Sequence, residues 1–135
     1  MVAVTWMASA VNGAEFSSEV RSLMDGYATE AKADDPSFNG FSAERGRELF
    51  YSKRMHSKGK QRGCTSCHTE DPTQVGRTQV GKRIEPISPA VTPERFTEAR
   101  KVRKWFGRNC KWVLERQCTP REKGDFLTFM MSLAD

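Results

Sequence analysis

The sequence has only two histidines, at positions 56 and 68, and it has no methionine between residues 56 and 129. It contains no internal repeat and no sustained alternation of polar and apolar residues, which excludes a repeat protein and disfavours a β-sheet fold. Its apolar N-terminal run, residues 1–11, is shorter than the roughly 20 residues that a membrane-spanning helix needs. Because histidine is scarce and methionine is missing from the middle of the chain, any metal site has few such ligands available.

Size and charge favour one soluble globular domain. The 135 residues are enough for a small core, so a large cofactor would form a major part of that core. The high content of charged residues disfavours a membrane protein, and the formal net charge of +5 favours acidic partners or a negatively charged cofactor.

The N-terminal segment is typical of a secretory signal peptide. Residues 1–11 carry no charge, and the sequence ASA at 8–10 is a small-x-small cleavage pattern, with Ala14 as a second candidate. The basic residues that usually precede such a core are missing, and a frayed apolar terminus is the alternative. We predict that residues 1–14 are a signal peptide or its remnant, that residues 15–135 are the mature domain, and that the protein is periplasmic.

Apolar residues recur at helical spacing in four segments, and a capping residue precedes or begins each one. Thr119 and Glu122 form a T-x-x-E capping box around Pro120, the clearest helix start in the chain. Residues 69–93 hold four of the six prolines and show no period, which indicates a long irregular loop. The fold class is therefore all-α. The predicted helices are 17–36 (cap Ser17 or Ser18), 43–53 (cap Ser42), 97–109 (cap Thr97) and 119–133 (cap Thr119).

Cys64, Cys67 and His68 match the C-x-x-C-H signature of covalent haem attachment. The spacing places both thiols along one haem edge, where each can add to a vinyl group, and His68 can then ligate the iron on the proximal side. A carbonyl of the Pro-rich loop is expected to fix the histidine tautomer. We predict one covalently attached haem c in a mono-haem domain over residues 15–135.

Other interpretations of the cysteine motif fit less well. A thioredoxin-like redox pair requires a βαβ context, which is absent. A zinc site requires a second closely spaced pair, and Cys110 and Cys118 do not have that spacing. A chance match to a short motif is the third alternative.

The segments before and after the C-x-x-C-H motif resemble those of class I cytochromes c. The segment AERGRELF looks like their first helix, in which Gly46 would let the C-terminal helix cross closely, and FLTFMMSL looks like that C-terminal helix. The resemblance implies a class I cytochrome c-like helical fold, with an extra N-terminal helix and a long Pro-rich loop that wraps the haem.

The distal ligand is not evident from the residues alone. Class I electron carriers usually place a methionine well after the motif, whereas Met130 and Met131 lie on the last predicted helix, where core packing is expected. His56 lies upstream in a basic loop; it could ligate the iron, but it is expected to be solvated. Asn109 could be a helix C-cap or an iron ligand.

Several segments together resemble the SHP-type oxygen-binding cytochromes c, and they are similar to the related cytochrome c″, over residues 18–133. These segments are ERGRELF, CTSCHT, VGKRIEPISP, RFTEARKVRKWFGRNC and CTPREKGDFLTFM. The resemblance implies that Asn109 is the distal haem ligand and that Cys110 and Cys118 form a disulfide beside it. Cytochrome c″ has histidine at the asparagine position, so this chain is more similar to SHP. An exported chain also rarely leaves two cysteines unpaired.

An amide is a weak, neutral ligand that ferric haem tolerates better than ferrous haem does. Reduction should loosen Asn109 and let O2, NO or CO bind, so the predicted function is electron transfer coupled to binding of a diatomic gas. The alternatives are a plain periplasmic electron carrier and an enzyme that reduces O2, NO or peroxide. An enzyme is less favoured, because Arg108 is the one polar residue near Asn109 that could act as a distal acid or base.

The resemblance also implies redox partners, namely a di-haem cytochrome c and a membrane b-type cytochrome. Basic residues cluster at 53–62 and 100–111, where they either steer an acidic electron donor or are simply solvated. Nucleic acid is not expected as a partner, because the chain has no recognition motif.

Overall fold

The computed structural model describes residues 15–135, so the predicted signal peptide at 1–14 lies outside the described residues. The described part is helical with two very short ladders, which confirms the all-α class. A two-residue strand is too short to produce an alternating pattern, so the ladders were not predictable from periodicity. The helices are α1 (Ser18–Asp34), α2 (Ala43–Tyr51), α3 (Thr65–His68), α4 (Ala99–Leu114) and α5 (Pro120–Ser132); β1 (Arg54–Met55) pairs with β2 (Gln61–Arg62), and β3 (Gly76–Arg77) pairs with β4 (Arg83–Ile84), both antiparallel.

Three of the four predicted helix caps are confirmed. Ser17 accepts a hydrogen bond from Val20 N–H at 3.2 Å, and Ser42 accepts one from Arg45 N–H at 3.1 Å. Thr119 and Glu122 form the predicted reciprocal capping box at the start of α5. These caps depend on residues three apart in the chain, which is why local sequence reveals them.

The predicted cap at Thr97 is wrong. Helix α4 begins at Ala99 and its N-cap, Glu98, makes no side-chain capping bond. The Thr97 hydroxyl instead donates to the Glu94 carbonyl at 2.7 Å. The helix also continues to Leu114 rather than ending at 109.

The core forms where α5 crosses α2 and α1. A Cβ at Gly46 would collide with the Asp125 carbonyl oxygen, so this glycine lets α2 and α5 approach closely, as the sequence predicts. The buried Asp125 carboxylate accepts hydrogen bonds from Ser42 N–H at 2.8 Å and Arg45 Nε at 2.7 Å, which fixes the crossing. Met130 is fully buried and therefore packs in the core as expected. Two apolar clusters fill the space: Val20, Met24, Tyr27, Val102 and Leu127, and Phe50, Ile87, Phe129 and Met130.

The Pro-rich segment between α3 and α4 is irregular apart from the β3–β4 ladder. It folds back on the cysteine motif. The two segments lie so close that a Cβ at Gly76 would collide with the Cys67 carbonyl oxygen. Ser88 N–H donates to the Pro72 carbonyl at 3.0 Å, which closes the segment on itself. Within residues 15–135, no helix is long and apolar enough to cross a membrane.

Candidate haem site

The cysteine motif lies in one helical turn. His68 N–H donates to the Cys64 carbonyl at 3.1 Å, and this turn brings Cys64, Cys67 and His68 onto neighbouring positions of one helix face. Both cysteines are unpaired. Burial raises the pKa of the Cys64 thiol to about 11, the opposite of the lowered pKa that an exchange-active redox pair requires.

His68 has the properties of a metal ligand. Burial, followed by the positive charge of Arg95, lowers the pKa of His68 to about 4, so its imidazole is neutral at neutral pH. Its Nδ1 atom is buried and has no hydrogen-bond partner, so the carbonyl that we predicted to hold it is not in place. The neighbouring Thr65 hydroxyl is also buried and unpartnered. Orphaned buried polar atoms are rare in proteins. Because iron would bind the other ring nitrogen, Nε2, the fit to haem rests on the neutral imidazole and on the two unpaired cysteines beside it.

Asn109 lies inside α4, so the C-cap alternative is wrong: the helix ends at Glu115, in the left-handed conformation. Val102, two turns earlier, and Val113, one turn later, lie on nearly the same side of the helix and are buried, whereas Asn109 between them is exposed. Trp105 and Trp112 flank it one turn away on either side, and Trp105 is 47% exposed. The amide of Asn109 makes no hydrogen bond to any of residues 15–135. A polar group on this stripe thus faces open space rather than the core.

Cys110 and Cys118 form a disulfide, which confirms that prediction. Both are buried, and the bridge fastens the end of α4 to the residue that precedes the Thr119 cap of α5. The backbone next to Asn109 is therefore held covalently.

His56 is not solvated, contrary to expectation. It is only 8% exposed, its Nδ1 accepts a hydrogen bond from Lys58 N–H at 3.0 Å, and its Nε2 lies 3.2 Å from Glu115 Oε1. Both ring nitrogens are thus occupied by protein groups. The sequence could not reveal this burial, because Glu115 is distant in the chain.

The exposed side of α4 is strongly basic. Lys104 and Arg108 lie over the Trp105 ring, 5.3 and 5.6 Å from its centroid. The exposed cations of α4 are Arg100, Lys101, Arg103, Lys104, Arg108 and Lys111.

Among the described residues, no group of three His, Cys, Asp or Glu side chains is placed so that it could hold a metal ion.

Comparison with known proteins identifies the relatives of the chain. A family profile described as "Domain of unknown function (DUF1924)" matches residues 36–130. The cytochrome c-type protein SHP of Cereibacter sphaeroides is 46% identical over 108 residues, which are 80% of this chain and 79% of that protein. The solved structure of oxidised SHP, an oxygen-binding cytochrome c, matches with a TM-score of 0.72 at 40% identity and covers 86% of this chain and 97% of that one.

Cytochrome c″ of Methylophilus methylotrophus is 35% identical over 107 residues, which are 78% of this chain and 74% of that protein. Its solution structure, which concerns haem-ligand detachment, matches with a TM-score of 0.74 at 32% identity and covers 86% of this chain and 94% of that one. At these identities and coverages, the chain belongs to the family of SHP and cytochrome c″, and it is an all-α c-type cytochrome with one covalently attached haem c.

Proposed function

We propose that this cytochrome couples electron transfer to the binding of a diatomic gas, and that Asn109 is the distal ligand that gives way to the gas. In this proposal Cys64 and Cys67 form the thioether bonds and His68 is the proximal ligand. The exposed position of Asn109, on the side of α4 where Val102 and Val113 are buried, is the observation that carries the proposal. The oxygen binding of SHP and the haem-ligand detachment studied in cytochrome c″ support it.

When attached, haem c supplies an iron that exchanges one electron and in its ferrous form can take O2, NO or CO. His68 meets the need for a neutral imidazole, because burial keeps it unprotonated at neutral pH. Both cysteines are unpaired and therefore available to form the thioether bonds.

In this proposal Asn109 is a weak iron ligand that is easily displaced. Its amide oxygen is an uncharged donor that suits ferric iron, which is the harder ion, and holds ferrous iron poorly. No hydrogen bond within residues 15–135 ties the amide to another position, so it is free to engage or leave. The Cys110–Cys118 disulfide holds the backbone next to it, which confines the change to the asparagine side chain.

The basic face of α4 is the proposed approach for an acidic electron donor. Its six exposed cations surround the segment that carries Asn109, and the helix contains no acidic residue. A di-haem cytochrome c and a membrane b-type cytochrome are the proposed partners, and the periplasm, which permits a disulfide, is the proposed location.

Optical spectra of the ferric, ferrous and CO-treated ferrous protein test the proposal, with Asn109→Ala compared against Asn39→Ala. Asn39 is an exposed loop asparagine and serves as the matched control. We expect a six-coordinate ferric spectrum in the parent and the control and an altered one in Asn109→Ala. The ferrous spectra of all three proteins should agree.

Two results would overturn the proposal in different ways. An unchanged ferric spectrum in Asn109→Ala removes the asparagine as ligand. A ferrous parent that remains six-coordinate and low-spin, and that does not respond to CO, reduces the protein to a plain electron carrier.

A further inference from the structure

The hairpin of residues 54–62, formed by β1 and β2, rests on the last turn of α4. We call its contacts with Trp112 and Glu115 the hairpin clamp. These contacts join the chain segment that enters the cysteine motif to the helix that carries Asn109. They are separate from the disulfide, which fastens the same helix end to α5.

Glu115 occupies an unusual backbone position. Its φ of 58° lies in the left-handed region, where helices usually end on glycine because a side chain is strained there. A glutamate at such a position is retained only if its surroundings compensate for the strain. The contacts of its side chain supply that compensation.

The Glu115 carboxylate binds the tip of the hairpin at three points. Ser57 donates to it from its backbone N–H at 3.2 Å and from its hydroxyl, and His56 Nε2 lies 3.2 Å away. The two hydrogen bonds from Ser57 hold the pKa of Glu115 below its ordinary value, so the carboxylate is ionised at neutral pH. His56 is buried and is fixed from its other side by Lys58 N–H.

Arg62 binds the same helix one turn earlier. Its guanidinium lies over the Trp112 ring, 4.5 Å from the centroid, and its Nη1 donates to the Trp112 carbonyl at 3.3 Å. Arg62 is separated from Cys64 by one residue, and Trp112 follows Asn109 by less than one helical turn. The clamp thus links the haem-attachment segment directly to the part of α4 that carries Asn109.

We infer that the hairpin clamp positions Asn109, so that Arg62 and Glu115 set how firmly the asparagine is held as a ligand in the oxidised protein. This inference rests on the proposed role of Asn109. Neither residue touches the iron in this scheme, since both act through the backbone of α4. A weak ligand makes the site sensitive to such positioning, because a small displacement of the helix end changes its occupancy strongly.

The sign of the effect follows from linkage. Asn109 ligation stabilises the ferric state, so a clamp that loosens must raise the reduction potential as it raises the fraction of ferric protein without the asparagine ligand. A threefold weakening of ferric ligation corresponds to a rise of about 30 mV for a one-electron couple.

Two clamp variants of the holoprotein test the inference. Glu115→Gly removes the carboxylate but relieves the left-handed strain, so the midpoint of thermal unfolding should change little. Arg62→Lys keeps the charge but loses the stacked, planar guanidinium. Glu98→Gln, at the opposite end of α4, is the matched control for the loss of one carboxylate.

We expect both clamp variants to increase the high-spin ferric fraction at least threefold and to raise the potential, and the control to do neither. In an Asn109→Ala background, Glu115→Gly should leave the potential unchanged, because the residue through which it acts is gone. Clamp variants that match the parent in ferric spectrum and potential would overturn the inference. If Asn109→Ala itself matches the parent, the proposed function fails instead.

Discussion

Glu19 is the second residue of α1, and its carboxylate accepts a hydrogen bond from the backbone N–H of Ala99 at 2.8 Å. Ala99 begins α4, whose own N-cap residue offers no side-chain bond, so the N-terminal helix caps the helix that carries Asn109. Ser17 strengthens the link by donating to the Thr97 carbonyl at 2.7 Å. The extra N-terminal helix therefore positions the start of α4 as well as covering the core.

Replacement of Glu19 by alanine should destabilise the protein by about 1 kcal/mol, the usual cost of losing a helix N-cap. Urea unfolding followed by circular dichroism measures this loss. Glu30→Ala, on the same helix, is the control, because Glu30 makes no hydrogen bond or ion pair to any of residues 15–135. Equal stabilities of the two variants would show that the bond to Ala99 contributes nothing.

Features that depend on neighbouring residues were predictable from the sequence. The caps at Ser42 and Thr119 were found because each side chain bonds a backbone group three residues away. The packing role of Gly46 was predicted because the segment around it resembles the first helix of class I cytochromes c, in which a glycine lets the C-terminal helix cross closely. The burial of Met130 follows from an equally local pattern. The one-turn helix of the cysteine motif, Thr65–His68, was not among the predicted helices, because four residues are too few to show a helical period.

Features that depend on distant residues were not predictable. The start of α4 depends on Glu19, 80 positions from Ala99, and no pattern in a single sequence marks such a pair. The burial of His56 depends on Glu115 at the far end of α4, so a histidine among lysines was expected to be solvated. The position of Asn109 inside the helix was missed because Lys111 to Leu114 carry no strong helical signal of their own.

The crossing of α2 and α5 leaves no room for a side chain at position 46. Gly46→Ala should cost about 3 kcal/mol, because the new methyl group meets the Asp125 backbone and the helices must separate. Gly26→Ala is the matched control, since a Cβ at Gly26 meets nothing within 4 Å. It should stabilise α1 by about 0.5–1 kcal/mol through its better helix propensity. Thermal unfolding of both variants checks the contrast, which disappears if the helices do not pack through the glycine.

The disulfide closes a short loop, and its loss should cost about 2.5 kcal/mol in the chain-entropy model. The double variant Cys110→Ala with Cys118→Ala removes it without adding a buried hydroxyl. With the haem kept ferrous in every sample, dithiothreitol should lower the unfolding midpoint of the parent towards that of the variant and leave the variant unaffected. A variant as stable as the parent would mean that the bridge contributes no net stability.

Glu122 makes the free energy of unfolding depend on pH in the acid range. Burial by itself raises the pKa of Glu122, but hydrogen bonds from Arg116 and from Thr119 N–H outweigh it and hold the pKa below its ordinary 4.5. A carboxyl with a lowered folded-state pKa stabilises the protein above its ordinary pKa, and that contribution is lost as the pH falls through the folded-state value. Glu122→Gln keeps an acceptor for Thr119 N–H and removes the charge, so it should cost about 1 kcal/mol at neutral pH. Urea unfolding at steps down to about pH 3 should show the difference between parent and variant shrinking towards zero. A difference that stays constant across this range would attribute the effect of the substitution to something other than the charge.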